Sequence, residues 1–331
     1  MSPFEWLDGR FQLTDQPYYV LFLIGVAVLL LASELVVFVL AKLESHQFGV
    51  VHLGTLFTPL CTGFPNLMLG IFGQSRLSGD LVIHLNIGNN IANTTLVTGT
   101  IILLAGPLTV RVASGKSKKA VQARRDFNIA LAVLWLGAAL LVYLCHDGLV
   151  SRWDAAALVG CYAAYQALML FRRGKPTKSK RLPKSLGAAL LGALLGCALL
   201  ISFSVDAVAA GMEGMGTLVP GASLGMLLGL LTVLPESFLL LRLTRKQGSL
   251  GLTGLVGDCL VSIPLVIGVS ALIVPIPTAV LAGPWDVAAR GYWMLGATML
   301  GFSILAMQPG QISRKVGFGF CCLYALVWVW L

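Results

Sequence analysis

The sequence predicts an all-α integral membrane protein of ten transmembrane helices, arranged as two inverted five-helix repeats. Three observations carry this prediction: the composition, ten long apolar runs, and a pattern of spacings that occurs twice. The 331 residues are 57% hydrophobic and 11% charged, with a mean hydropathy of +0.87. Soluble domains carry about a quarter charged residues, and a spanning helix needs about 20 apolar residues. The apolar runs leave no segment for a soluble catalytic domain.

The order of the apolar runs gives the predicted helices and, through the loops, their orientation. Basic residues collect in cytoplasmic loops, and here they lie between helices three and four, between five and six, and after seven. We therefore expect both termini to be extracytoplasmic. The expected divisions are an amino-terminal segment 1–17, a first repeat 18–171, a basic cytoplasmic linker 172–185 and a second repeat 186–331. The predicted helices are 18–42, 50–73, 81–106, 127–145, 153–171, 186–210, 218–241, 251–275, 288–306 and 314–331.

The repeated spacing supports the division into halves. Pro65 and Gly88 are 23 residues apart, and Gly88 precedes Asn93 by 5. In the second half Pro235 and Gly257 are 22 apart, and Gly257 precedes Ser262 by 5. Because each half contains an odd number of helices, the second half enters the membrane from the opposite side. This is the topology of inverted-repeat transporters.

Polar side chains at these repeated positions form the candidate site. A proline inside helix two or seven frees a carbonyl that must be satisfied at membrane depth, and oxygen-bearing side chains lie beside each proline. Residues four apart on a helix share a face, so the polar residues of helices three and eight can converge with them. Hard cations such as calcium and sodium take oxygen ligands. The candidate ligands are Thr62, Asn66, Asn89, Asn93, Thr232, Glu236, Asp258 and Ser262.

Several of these side chains have a simpler structural interpretation. Asparagines Asn86, Asn89, Asn90 and Asn93 can serve as interhelical hydrogen-bond donors, which membrane bundles use widely. Glu236 and Asp258 favour a functional interpretation, because an ionised carboxylate within the bilayer is costly unless an ion, a proton or a basic group compensates it. The roles of Glu34, His84 and Asp206 stay open. The seven cysteines have no metal-ligand spacing and are interpreted as small apolar fillers.

At these residues the chain resembles the cation/calcium antiporter superfamily, and looks like a sodium/calcium exchanger-like protein with degenerate alpha repeats. Family repeats read Gly-Thr-Ser-Leu-Pro-Glu and then Gly-Ser-Asn-Ile-Phe-Asn, or close variants. Here the first half reads Cys-Thr-Gly-Phe-Pro-Asn at 61–66 and Gly-Asn-Asn-Ile-Ala-Asn at 88–93. The second half reads Leu-Thr-Val-Leu-Pro-Glu at 231–236 and Gly-Asp-Cys-Leu-Val-Ser at 257–262. The resemblance implies ten helices in two inverted halves.

Carried over residue by residue, the resemblance places the two central family glutamates at Asn66 and Glu236, so one carboxylate is missing. The family typically has serine where Asn89 and Asp258 stand, and asparagine or aspartate where Asn93 and Ser262 stand. Asp258 therefore adds a carboxylate that the usual pattern lacks. Glu236 together with Asp258 would still balance one divalent cation, although both charges then lie in one half.

The resulting hypothesis is a secondary antiporter that exchanges calcium for sodium or protons while helices one and six slide across a fixed site. One alternative keeps the fold but handles only sodium or protons, and another is a non-transporting membrane scaffold or regulator. An enzyme is the least favoured class, because no nucleophile and base are paired. No cofactor is expected beyond the transported cation. The expected partners are inorganic cations and membrane lipids; the net charge of +9 reflects topology and not nucleic-acid binding.

Overall fold

A computed structural model describes residues 18–47, 63–73, 79–105, 108–109, 118–173, 184–215, 221–246, 248–278, 287–308 and 311–330. Within these ranges the chain forms ten helical segments, two of which contain a π turn. They are α1 Tyr18–Gln47, α2 Phe64–Gly73, α3 Gly79–Ala92 continued by Thr98–Ala105, α4 Lys118–Leu144, α5 Arg152–Arg173, α6 Lys184–Met215, α7 Gly221–Lys246, α8 Gly248–Leu260 continued by Gly268–Ile273, α9 Val287–Met307 and α10 Arg314–Trp330.

Helices α3 and α8 lie at the centre of the molecule. Every residue from 81 to 95 and from 254 to 264 is buried. The surrounding helices instead expose large apolar side chains, among them Trp153 at 87% and Phe171 at 88% exposed. A helix that is buried all round is typical of a core, and apolar outer faces are typical of contact with lipid.

Length and composition support membrane crossing in the described part of the chain. Four stretches there are long and apolar enough to span a bilayer. Two further apolar stretches, Tyr18–Ala32 and Gly225–Leu234, are shorter. The four spanning stretches are Arg124–Leu144, Arg152–Arg172, Ala188–Val208 and Gly254–Ile273.

Both central helices widen at the same place in the repeat. A π turn occupies Asn93–Val97 in α3 and Val261–Ile267 in α8. In α8 the turn contains Pro264, which has no N–H to donate to a carbonyl one turn earlier. In α3 the Thr98 backbone N–H and hydroxyl both donate to the Asn93 carbonyl. π turns are frequent at functional sites, and these two bring Asn93 and Ser262 to corresponding positions.

The packing of the central helix against its neighbour is also the same in both halves. Gly99 of α3 contacts Gly317 of α10, where an added Cβ would lie 2.6 Å from the Gly317 carbonyl oxygen. Its counterpart Gly268 of α8 packs against α5 in the same way, with an added Cβ 3.2 Å from the Ala155 carbonyl oxygen. Each half thus closes its central helix onto the last helix of the other half.

Four short strands, which the sequence did not predict, also pair one half of the chain with the other. The strands are β1 Leu108–Thr109, β2 Leu149–Val150, β3 Ile276–Pro277 and β4 Gln311–Ile312. Strand β1, after α3, pairs antiparallel with β4, before α10. Strand β3, after α8, pairs antiparallel with β2, before α5. The two halves are therefore interleaved at both ends of the bundle.

Helices α1 and α6 pack together along their length. An added Cβ on Gly211 would lie 2.7 Å from the Tyr18 carbonyl oxygen, and one on Gly25 would lie 2.9 Å from the Ser204 carbonyl oxygen. The Ser204 hydroxyl donates to the Gly25 carbonyl at 2.6 Å. Small residues that let backbones approach closely are the usual basis of helix association in membranes.

The observed helix bounds differ from the predicted ones mainly at polar ends. Helix α4 begins nine residues earlier than predicted, because Lys118 to Arg125 forms helix beyond the apolar stretch. Helix α7 continues through Pro235 to Lys246, so this proline interrupts the hydrogen-bond ladder without ending the helix. Pro65 lies in the first turn of α2, where a missing N–H costs nothing. Residues 48–62 of the predicted helix 50–73 lie outside the described residues.

Candidate functional site

A close approach between α3 and α7 builds one side of the candidate site. An added Cβ on Gly229 would lie 2.4 Å from the Leu85 carbonyl oxygen and 2.5 Å from the Asn89 nitrogen. An added Cβ on Gly225, one turn earlier, would lie 2.6 Å from the His84 Cβ. Only glycine leaves room for the two backbones at these positions. The contact places Thr232, one turn beyond Gly229, against Asn89.

A hydrogen-bonded network then joins five of the eight predicted ligands across the two halves. The Asn89 amide donates to the Thr232 hydroxyl at 3.3 Å, and the Ser262 hydroxyl donates to Asn89 Oδ1 at 3.1 Å. The Asn93 amide donates to Asn89 Oδ1 at 3.1 Å and to Asp258 Oδ2 at 2.7 Å. All five side chains are at most 1% exposed. The structure therefore brings polar side chains of α3, α7 and α8 together.

Asp258 supplies the charge of this network. Its carboxylate is 1% exposed and accepts the Asn93 amide hydrogen bond at the level of the first π turn. A hydrogen bond to a charged group contributes about 1.5–3 kcal/mol. Carboxylates buried in membrane bundles pair with other groups or mark ion and proton pathways.

Asn66 borders the network without joining it. Helix α2 packs against the π segment that carries Ser262, and Gly70, one turn beyond Asn66, lies against Ser270 and Val266. Both the Asn66 Oδ1 and Nδ2 atoms are buried with no hydrogen-bond partner among the described residues. An unsatisfied buried polar group costs about 1–3 kcal/mol.

Two predicted ligands cannot be compared with this geometry. Thr62 lies outside the described residues. Glu236 lies within α7, one turn after Thr232, but its side chain is not among those described. Their membership of the site stays a prediction.

The three residues whose roles were open occupy different surroundings. Glu34 is exposed on α1, whereas Asp206 is buried on α6. His84 is buried on α3, and its Nδ1 lies 2.8 Å from the Asp80 carbonyl oxygen. The hydrogen bond of His84 thus stays within α3 and does not lead to the network.

Sequence reasoning missed two elements that position the site. The Gly225–Gly229 pair has the four-residue spacing of close helix contacts in membranes, and that spacing could have indicated the approach of α3 and α7. Pro264 within a predicted helix could have indicated the second π turn. Nothing comparable marks the first π turn, whose hydroxyl groups from Thr94, Thr95 and Thr98 donate to backbone carbonyls.

The donor set of the site consists of oxygen and amide groups. Among the described residues, no group of three or more His, Cys, Asp or Glu side chains could hold a metal ion. A cation here would depend on neutral oxygens as well as carboxylates, which suits hard cations.

Comparison with known proteins identifies the family. A family model described as "Sodium/calcium exchanger protein" matches residues 17–171 and 189–331. The chain therefore belongs to the sodium/calcium exchanger family. The match includes both halves and every predicted ligand. No curated protein matches the chain.

Solved structures show that this chain shares its fold with two kinds of exchanger. The sodium-calcium exchanger NCX_Mj, soaked with 100 mM Na+ and 10 mM Sr2+, superposes with a TM-score of 0.63 at 17% identity, covering 95% of this chain and 98% of that one. The H+/Ca2+ exchanger CAX superposes with a TM-score of 0.64 at 15% identity, covering 98% of this chain and 90% of that one. At these identities the likeness concerns the fold.

Proposed function

We propose that the protein is a secondary antiporter that exchanges calcium for sodium or protons across a membrane by alternating access. The observation that carries the proposal is the Asp258 carboxylate, buried at the interface of the halves and hydrogen-bonded to Asn93 at 2.7 Å. Membership of an exchanger family supports it. A carboxylate in the core of a membrane bundle is typical of an ion pathway.

In this proposal the cation is the transported substrate. Glu236 is the essential ligand and Asp258 is the second carboxylate, so that two charges balance one divalent cation. The neutral oxygens complete the coordination shell, as calcium takes six to eight oxygen ligands. These neutral ligands are Thr62, Asn66, Asn89, Asn93, Thr232 and Ser262.

The α1–α6 pair is the proposed moving element. Its backbones are in close contact at Gly25 and Gly211, which favours movement of both helices as one unit. The network of α3, α7 and α8 forms the fixed site. We further propose that both termini are extracytoplasmic, as the basic loops indicate.

Calcium uptake into proteoliposomes tests this function. Purified protein would be reconstituted, and uptake of radioactive calcium would be measured under an imposed sodium gradient and, separately, a proton gradient. We expect uptake with one of the gradients and its loss in Glu236→Gln and Asp258→Asn. Asp147→Asn, at an exposed acid in the loop after α4, is the matched control and should retain uptake.

Two outcomes would contradict the proposal. Uptake unchanged in both Glu236→Gln and Asp258→Asn would remove the site from the pathway. No exchange by the wild-type protein with any cation gradient would instead favour a non-transporting scaffold or regulator.

One observation favours a second candidate function, transport of sodium or protons alone. Asn66 stands where the family has a glutamate, and neither of its polar atoms has a partner in the part of the chain that the structure describes. A site with fewer carboxylates compensates a divalent cation less well. Thermal stability in calcium, in sodium and over a pH series separates the candidates, because a ligand that binds only the folded state stabilises it. Stabilisation by sodium without calcium would favour this second function.

A further inference from the structure

His84 carries a buried ring nitrogen that has no hydrogen-bond partner in the described part of the chain. The side chain is 6% exposed, and its other nitrogen, Nδ1, lies 2.8 Å from the Asp80 carbonyl oxygen. Because a carbonyl oxygen only accepts hydrogen bonds, Nδ1 must carry the proton. In the neutral ring the unpartnered nitrogen, Nε2, is therefore a bare lone pair.

The ring of His84 lies between two glycines of neighbouring helices. An added Cβ on Gly225 of α7 would lie 2.6 Å from the His84 Cβ. An added Cβ on Gly291 of α9 would lie 3.8 Å from His84 Cδ2, the carbon bonded to Nε2. Neither glycine has a side chain that could donate to Nε2. A buried acceptor without a donor costs free energy, and a proton is the ligand that an imidazole lone pair ordinarily binds near neutral pH.

The charged and titratable groups around the ring lie on α3, α9 and the end of α4. Asp80 is one turn before His84 on α3, and α9 contributes Arg290 and Tyr292. The Tyr292 side chain is hydrogen-bonded to Cys145 and lies within electrostatic range of Asp80. Within the described residues, the facing parts of α2, α7 and β3 contain no titratable side chain. Of these side-chain types, histidine is the one that ordinarily changes charge between pH 5 and 8.

The same contact between α3 and α7 carries His84 and the candidate site. Gly225 packs against His84, and Gly229, one turn later, packs against Asn89. Asn89 in turn donates to the Thr232 hydroxyl within the network. Along the axis of α3, His84 and Asn89 are about 7.5 Å apart. A charge gained at His84 therefore acts on a cation in the network through protein interior, where charges are screened less than in water.

We propose that His84 is a proton-binding site whose occupancy competes with that of the transported cation. The Nε2 lone pair accepts a proton from solvent, no other bond breaks, and the ring becomes a cation. A single positive charge roughly 10 Å from a divalent cation weakens its binding at least about tenfold at the effective dielectric constant of proteins. By reciprocity, a bound cation lowers the affinity of His84 for the proton. This inference rests on the proposed function and names a residue through which protons enter it.

Calcium affinity at two pH values tests the site. Isothermal titration of the purified full chain would be carried out at pH 8 and at pH 6. The amide of His84→Asn can donate to the Asp80 carbonyl, as Asn86 donates to the Val82 carbonyl at 2.8 Å, but it binds no proton. At pH 6 this variant should bind calcium at least about tenfold more tightly than wild type. At pH 8, where an imidazole is ordinarily neutral, the two should agree within about twofold.

A gain of affinity at low pH separates proton binding from a structural role, because a packing defect would weaken binding at both pH values. His146→Asn, at an exposed histidine after α4, is the matched control and should behave as wild type.

A second variant guards against a folding defect in the first. His84→Gln places a neutral amide toward the Nε2 end of the ring and should show the same gain. The inference is overturned if calcium affinity falls between pH 8 and pH 6 as steeply in a folded His84 variant as in wild type. It is also overturned if the wild-type affinity does not fall at all. A wild-type protein that binds no calcium at pH 8 overturns the proposed function together with the inference, so the two failures are distinguishable.

Discussion

The central helices of the two halves reach the same shape with different chemistry. In α3 the widened turn is accompanied by three threonine hydroxyls that donate to backbone carbonyls, whereas in α8 it contains Pro264. The first half contributes neutral amides, Asn89 and Asn93, and the second contributes the Asp258 carboxylate. The repeat therefore conserves backbone geometry more strictly than it conserves charge. The physical reason is that packing depends on the shape of the side chain at every position. Compensation of a bound cation depends only on the total charge of the site.

The largest expected effect comes from moving the carboxylate between halves. Asp258→Asn should lower the initial rate of calcium uptake about 100-fold or more, equivalent to about 2.7 kcal/mol, because it removes a charge that compensates the cation. Adding Asn89→Asp, at the corresponding position of α3, should recover part of the loss. Recovery would show that the charge count matters more than the half that supplies it. A double variant as inactive as Asp258→Asn, although folded, would show that the asymmetry is essential.

The next largest effect is expected from a substitution at the close contact between α3 and α7. Gly229→Ala should lower the free energy of unfolding by about 1–3 kcal/mol, as overpacking does, because the new methyl group meets the Leu85 carbonyl and Asn89 nitrogen. Gly192→Ala on α6 has no heavy atom within 4 Å and should be neutral or slightly stabilising. Chemical denaturation in detergent measures both. Equal effects of the two substitutions would contradict the proposed role of the contact.

Restoring the missing carboxylate of the first half should have a moderate effect. Asn66→Glu should tighten calcium binding about tenfold, equivalent to roughly 1.4 kcal/mol, because it adds a charge beside the π segment of α8. Asn66→Gln adds the same methylene without the charge and is the control. Isothermal titration with calcium measures the difference. Equal calcium affinities in the two variants would place residue 66 outside the site.

The smallest effect concerns the first π turn. Thr98→Val should lower the free energy of unfolding by about 1 kcal/mol, since the Asn93 carbonyl loses a buried hydrogen bond of 2.8 Å. Thr98→Ser keeps the hydroxyl and should cost less. Chemical denaturation in detergent measures both variants. If Thr98→Val and Thr98→Ser cost the same, the hydroxyl contributes nothing beyond packing.

The site shows where sequence reasoning succeeds and where it stops. The spacing of Asn89 and Asn93, and of Asp258 and Ser262, predicted shared faces because helical periodicity is a local property. The hydrogen bond from Asn93 to Asp258 joins residues 165 positions apart, and no local pattern specifies which face of α8 meets α3. Asn66 has the right spacing as well, yet within the described residues it borders the network without a hydrogen bond to it.

By itself the sequence determined the membrane class, the two repeats and the residue types that could bind a cation. These follow from hydropathy, from helical periodicity and from the cost of polar groups in the bilayer. Only the tertiary structure decided that α3 closes onto α10 and α8 onto α5, and that Gly229 brings Thr232 to Asn89. Such contacts depend on how closely particular backbones approach, which is a property of packing between distant segments.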